Sequence, residues 1–147
     1  MKVIKEMVHT ALRDDTSLRT TLGHAATPYG VYEAFFPETP DFSSKSYVTW
    51  QFLGGASDQD VHGVEMRQRS KDVAVTVWSA NPDTIEDAHK RIRRVLIDMF
   101  AVTKPTSDAE VHQIKHMDEG PDLFDDEAKA YFRAETYRVK FREDVTA

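Results

Sequence analysis

Lys71-Asp72-Val73-Ala74-Val75-Thr76-Val77-Trp78, followed by Ser79-Ala80-Asn81-Pro82-Asp83, is the stretch on which the fold turns. Val73, Val75 and Val77 alternate with Ala74, Thr76 and Trp78. A period of two built on β-branched residues predicts a strand. Asn81 then stands where a helix N-cap stands, Pro82 takes the first helical position, and Asp83 complements the positive end of the helix. Ile85, Ala88, Ile92, Val95, Leu96 and Met99 follow at helical spacing and form one apolar stripe. Glu86 with Lys90, and Asp87 with Arg91, stand four residues apart on the wet side. A strand therefore feeds a long amphipathic helix, Pro82 towards Phe100, which has to lie on a sheet.

Working back from this unit, Ile4, Met7, Val8, Ala11 and Leu12 predict an N-terminal helix. Asp14-Asp15-Thr16-Ser17 supplies caps for a short second helix carrying Leu18 and Leu22, and Gly23 suits the left-handed residue that ends it. Val31 to Phe36 reads as a strand stopped by Pro37, and residues 37–45 read as a surface loop. Ser46 to Leu53 is a second strand, with Val48, Trp50 and Phe52 on one face and Tyr47, Thr49 and Gln51 on the other. Gly54 to Ser70 is polar and charged, a functional loop, a mobile one or an extension of the flanking hairpin.

Beyond the helix, Val111 to Met117 forms a weakly alternating strand and residues 118–126 an acidic connection. Glu127 to Arg142 is a long final strand. Its odd positions (Tyr131, Arg133, Glu135, Tyr137, Val139, Phe141) oppose its even ones (Phe132, Ala134, Thr136, Arg138, Lys140, Arg142). The expected fold is α+β: a mostly antiparallel sheet of four to five strands with the long helix and the N-terminal helix packed on it, residues 1–147 forming a single domain.

The 147 residues fall within the size of one domain and suffice for a core. With 40% hydrophobic and 30% charged residues the composition is that of a globular protein. No apolar run approaches the roughly 18 residues of a membrane span. There is no cysteine, so disulfides and thiolate chemistry are excluded. Nineteen basic against 25 acidic side chains give a net charge of −6, which disfavours nucleic-acid binding as the main activity.

No catalytic constellation is legible. Glycine-rich phosphate loops, G-x-S-x-G, H-E-x-x-H and the calcium-loop spacing are all missing. The best metal candidate is His112 with His116, one face of a strand, next to Asp118, Glu119, Asp122, Asp125, Asp126 and Glu127. A solvated strand edge beside an acidic loop explains the same residues. His62 near Asp58, Asp60 and Glu65 is the composition of any polar loop. His89 reads as a partly covered surface histidine, and His9 and His24 as isolated. The second face of the sheet (Ala74, Thr76, Trp78) is only moderately polar and could be covered by a neighbouring subunit. Arg133, Arg138, Lys140 and Arg142 make the last strand locally basic, a charge-guarded edge or an electrostatic docking strip.

Asp15-x-x-Leu18-x-x-x-Leu22-Gly23, the strand at Val31-Tyr32, the strand Ser46-Tyr47-Val48-Thr49-Trp50 and the Val73–Ser79 strand running straight into a long helix resemble the tail-completion, or tail-terminator, proteins of long-tailed bacteriophages. Ser46 stands where that family often has proline. The resemblance implies a structural virion protein, without enzymatic activity or cofactor, whose copies form a ring, commonly a hexamer, at the head-proximal end of the tail tube. Such a ring ends tube polymerisation and joins tail to head. Its expected partners are itself, the tail tube protein and the head–tail connector proteins, with DNA passing through the channel and no membrane. Its expected location is the virion, at the head–tail junction, after assembly in the host cytoplasm. The surfaces expected to meet a subunit or the tube are Thr76 and Trp78, the basic strip Arg133, Arg138, Lys140 and Arg142, and Asp58, Asp60, Glu65, Arg67 and Arg69 of the Gly54–Ser70 segment. The alternatives are a head–tail connector or stopper component, a small metal-dependent hydrolase using His112, His116 and the acidic loop, and a ligand-binding α+β domain.

Overall fold

The computed structural model describes residues 2–38, 40–53, 57–59, 66–99 and 109–144. In chain order the elements are α1 (Lys2–Arg13), α2 (Thr16–Leu22), β1 (Val31–Glu33), β2 (Tyr47–Phe52), β3 (Ser57–Gln59), β4 (Met66–Ser79), α3 (Pro82–Arg93), β5 (Ala109–Glu119), β6 (Leu123–Asp125) and β7 (Ala130–Asp144). α3 runs on as a π-helical segment, Arg94–Met99. Five strands lie side by side in the order β1-β2-β4-β7-β5, with β3 paired to β4 and β6 to β7. Every pairing is antiparallel except β1 with β2, which is parallel. The α+β class is as the sequence predicts. Among the described residues the five strands of the main path are those the sequence predicts, and two more pair beside them, β3 and β6, three-residue pieces too short to show a period.

The alternation in β4 sets the two sides of the sheet. Val73, Val75 and Val77 are wholly buried. Opposite them in register stand Phe52, Trp50 and Val48 of β2, and Tyr137, Glu135 and Arg133 of β7. The helices cover this inner face. Ile4, Val8 and Leu12 of α1, and Ile85, Ala88 and Ile92 of α3 with Val95 and Leu96 beyond it, join the strand residues in one core. Each such valine, leucine or isoleucine, once buried, contributes about 1.5–3 kcal/mol, so the stripe of α3 is the main reason the helix stays on the sheet.

The predicted caps form. Asn81 Oδ1 accepts from the Asp83 N–H, with Pro82 at the helix start. Gly23 ends α2 at φ +85°, and its N–H meets the carbonyls of Arg19 and Thr20. Asp15 accepts from the Leu18 N–H at 2.9 Å and takes two hydrogen bonds from Arg91 of α3, at 2.7 and 2.8 Å. One carboxylate therefore caps α2 and ties it to α3. Burial works against the charge on Asp15, but Arg91 and the Leu18 N–H outweigh it and hold its pKa below the usual carboxylate range.

Some boundaries move. β4 begins at Met66, so the polar segment before it is partly the hairpin extension, Ser57 facing Ser70 and Gln59 facing Gln68. The last strand starts at Ala130 rather than Glu127. Asp125 Oδ1 accepts from the N–H groups of Glu127 and Ala128 and folds these residues into a turn between β6 and β7. β1 stops at Glu33 because Ala34 takes φ +67°.

Candidate assembly surface

The outer face of the sheet, opposite the helices, carries Thr76 and Trp78 on β4 and, on β7, Phe132, Arg138, Lys140 and Arg142. Its β6 end is aromatic. Trp78 stacks on Phe132 with centroids 4.7 Å apart and on Phe42 at 6.1 Å, and meets Phe36 edge-on at 5.9 Å. Its indole N–H donates to Thr49 Oγ1 at 3.2 Å. The loop segment around Phe42, expected on the surface, folds back across this face and buries that ring. Trp78 is consequently half-covered by its own chain. The signal was present: Phe42, a large apolar ring in a segment otherwise typical of loops.

Between that loop and the β6–β7 turn lies a cleft of about 410 Å³ with aromatic walls from Phe35, Phe36, Phe42 and Trp78, and with Asp125 and Glu127 among its lining. Phe35 is 76% exposed, an unusual state for so large an apolar ring. Leu123 and Phe124 of β6 are each about half exposed. Sequence reasoning placed Asp125 and Glu127 in an acidic cluster beside two histidines. The structure places them instead in the lining of this aromatic cleft.

The basic strip divides by parity. Arg138, Lys140 and Arg142 share the outer face, with Arg138 donating to Asp72 at 2.9 Å and Lys140 exposed. Arg133 is odd-numbered and so faces the helices, where its side chain is 7% exposed and donates to Glu86 at 2.8 Å. It cannot act with the other three as one docking strip. Asp58, Arg67 and Arg69 belong to the β3–β4 hairpin, Asp58 opposite Arg69 and Arg67 opposite Glu143 of β7. Asp60, Glu65 and His62 lie outside the described residues.

The inner face hides a polar cluster at the same end. Glu135 is completely buried and takes two hydrogen bonds from Arg93, at 2.7 and 2.9 Å, and one from His116 Nε2 at 2.9 Å. Arg133 Nη2 stands 3.3 Å away and His89 Nδ1 3.4 Å away. Burial pushes the Glu135 pKa up, but the Arg93 hydrogen bonds and the surrounding positive charge more than compensate, so it stays ionised below the usual range. His89 is fully buried rather than at the surface, because α3 turns it towards β7, where its Nε2–H donates to the Arg133 carbonyl at 2.8 Å. Burial lowers its pKa against the pull of Glu135 and keeps it neutral near pH 7.

His112 and His116 do not share a face as expected. β5 is bulged between Val111 and Gln113, which leaves His112 exposed while His116 turns in to Glu135. Among the described residues no group of three or more His, Asp and Glu side chains is arranged to hold a metal. His9 and His24 are not isolated either. His9 Nδ1 accepts from the Trp50 indole at 3.0 Å, and His24 Nε2 donates to the Ser46 carbonyl at 2.7 Å. Ser46, the departure from proline, donates its buried hydroxyl to Ser79 at 2.8 Å and so links the start of β2 to the end of β4.

No protein-family model matches the chain, and no curated protein matches it in sequence. The fold has a solved counterpart. A chain described as "Virion of native gene transfer agent (GTA) particle" superposes with a TM-score of 0.64 at 18% identity, covering 92% of this chain and 91% of its own. At that identity the likeness shows a shared fold, nearly end to end.

Proposed function

We propose that this chain is a structural subunit of a phage-like virion that assembles into a ring, of six copies by the family resemblance, at the head-proximal end of the tail tube. There it ends tube polymerisation and presents a surface to the head–tail connector. The observation that carries this reading is the fold shared over 92% of the chain with a chain of a gene transfer agent virion. The residue-level resemblance to tail-terminator proteins points the same way. The whole chain acts as one domain, with the tail tube protein and connector proteins as its other partners and the virion's head–tail junction as its location.

The outer sheet face suits contact with neighbours. Thr76 and Trp78 are only partly covered, and Arg138, Lys140 and Arg142 add positive charge to a chain of net charge −6. The β3–β4 hairpin is the arm proposed to meet the tube. A ring whose lumen is acidic would pass DNA without holding it, since it offers no fixed cations to phosphate.

Electron microscopy and native mass spectrometry of the purified protein test the reading. Closed rings of uniform copy number are expected, and a monomer at all concentrations, in solution and on tail tubes, would overturn it. Deleting residues 58–67 tests the arm: tails of normal length that still join heads would remove the hairpin from the mechanism. In a ring structure, a channel lined mainly by lysine and arginine would refute the passive-passage part.

A further inference from the structure

We infer that the aromatic cleft on the outer face is a socket for a cationic side chain of a second copy of this chain, and that Lys140 is the side chain that enters it. The cleft is walled by the rings of Phe35, Phe36, Phe42 and Trp78, of which Phe35 is the most exposed, and the negative quadrupole of an exposed ring face attracts an ammonium group. Asp125 and Glu127 add carboxylates to the same lining, and among the described residues neither has an ion-pair partner. Asp125 Oδ1 is engaged by the N–H groups of the turn it caps, which leaves Glu127, exposed, as the more available charge. A cleft with apolar walls and uncompensated negative charge is complementary to a long cationic side chain, whose alkyl stem packs on the rings while its head meets the carboxylate.

The chain carries such a group on the same face. Lys140 is exposed and, among the described residues, has no ion-pair partner, whereas its neighbour Arg138 is held by Asp72. Lys140 is eight residues along β7 from Phe132, which stacks on Trp78 beside the cleft; at the strand rise this is roughly 27 Å. No lysine side chain spans that distance, so Lys140 cannot fill the cleft of its own molecule. It can fill another's. Because socket and cation are separate patches, repeating the contact head to tail closes a ring where its rotation divides the circle, whereas a reciprocal contact stops at a two-fold dimer. The inference rests on the ring reading for the first of these outcomes only.

Charge reversal on the full chain tests it. Glu127→Lys and Lys140→Glu both alter exposed positions, and unchanged circular dichroism and melting temperature check that each variant folds. Sedimentation velocity and native mass spectrometry then read assembly. Each single reversal should raise the dissociation constant by about tenfold or more, and the two reversals in one chain should restore it to within about threefold of the parent. Folded single variants that assemble like the parent, or a double variant no better than the singles, would overturn the socket while leaving the ring intact, and would assign the cleft to a different protein. A parent that forms only dimers, with rescue by the double variant, keeps the socket and refutes the ring. A monomeric parent refutes both.

Discussion

Glu135 is the residue whose removal should cost the fold most. The substitution Glu135→Ala takes away a carboxylate that is completely buried and that engages Arg93 at 2.7 and 2.9 Å and His116 at 2.9 Å. Arg133, 7% exposed, would keep Glu86 at 2.8 Å and the more distant Glu119 and Asp122 at 3.6 Å. Arg93 is 29% exposed and would keep Glu119 at 3.4 Å. Breaking a buried pair by deleting one partner typically costs about 3–5 kcal/mol, since the opposite charge stays behind. The residual partners of both arginines place this protein towards the lower end, about 3 kcal/mol. Glu135→Gln preserves the volume and one acceptor oxygen and should cost less, about 1.5–3 kcal/mol, the worth of hydrogen bonds to a charged group. Urea denaturation of the parent and both variants, followed by circular dichroism, measures the differences. An unchanged m-value would show that stability changed without a change in the compactness of either state. At about 2–4 °C per kcal/mol for a chain of this size, the alanine variant should melt roughly 6–12 °C lower. A loss below about 1 kcal/mol for Glu135→Ala would refute the reasoning, because it would mean that the guanidinium groups reach water and the cluster is not a lock between α3, β5 and β7.

The pH dependence has a definite sign. Glu135 and Asp15 have folded pKa values held below the ordinary carboxylate range, so their contribution is complete above the ordinary value and disappears as pH falls through the lowered one. His89, buried and neutral, adds to the same trend, since the unfolded chain takes up a proton near 6.5 before the folded chain does. Stability measured by urea titration should therefore be level above about pH 7 and decline from about 6.5 downward. Glu in place of His would confuse this test, but His89→Gln, whose amide can still donate to the Arg133 carbonyl, should flatten the slope between about pH 6.5 and 5. The slope shrinks without vanishing, because burial lowers the pKa of His9 and His24 too. Asp15→Ala removes both the α2 cap and the Arg91 hydrogen bonds, and a thermal melt should show a loss of about 1–3 kcal/mol, more than the ~1 kcal/mol of a simple cap. Zinc at tenfold molar excess should leave the melting temperature unchanged to within about 1 °C, since a ligand held only in the folded state would raise it; a larger rise that His112→Ala and His116→Ala abolish would revive the metal reading.

Much of this was legible from residue order, and the limits have physical causes. Val73, Val75 and Val77 and the stripe from Ile85 to Leu96 announced strand, helix and buried faces, because period and apolarity are local properties. The parity of β7 is equally plain and puts Arg133 on the same side as Tyr137 and Val139, but which carboxylates meet it there is not local: Glu86 is 47 positions away, while Glu135 is only two. His89 hid for a similar reason. An i+4 position beside Ile85 can be rim or core, and what stands above it decides. The His112–His116 pairing failed on one extra residue in β5, which no alternation rule anticipates.

The sequence by itself determined the α+β class, the caps at Asn81 and Gly23, the helix-bearing face of the sheet and the lack of a motif for catalysis. These depend on spacing and side-chain type within a few turns or strand positions. Only the tertiary structure decided that a loop carrying Phe36 and Phe42 folds over Trp78, that Asp125 and Glu127 line one cleft with those rings, and that Arg93, Arg133, His89 and His116 converge on Glu135. Apart from Arg133, two positions from Glu135, and His116, 19 positions from it, these contacts join residues tens of positions apart. Strand register and bulges set such contacts, and side-chain chemistry then determines only whether the contact is tolerable.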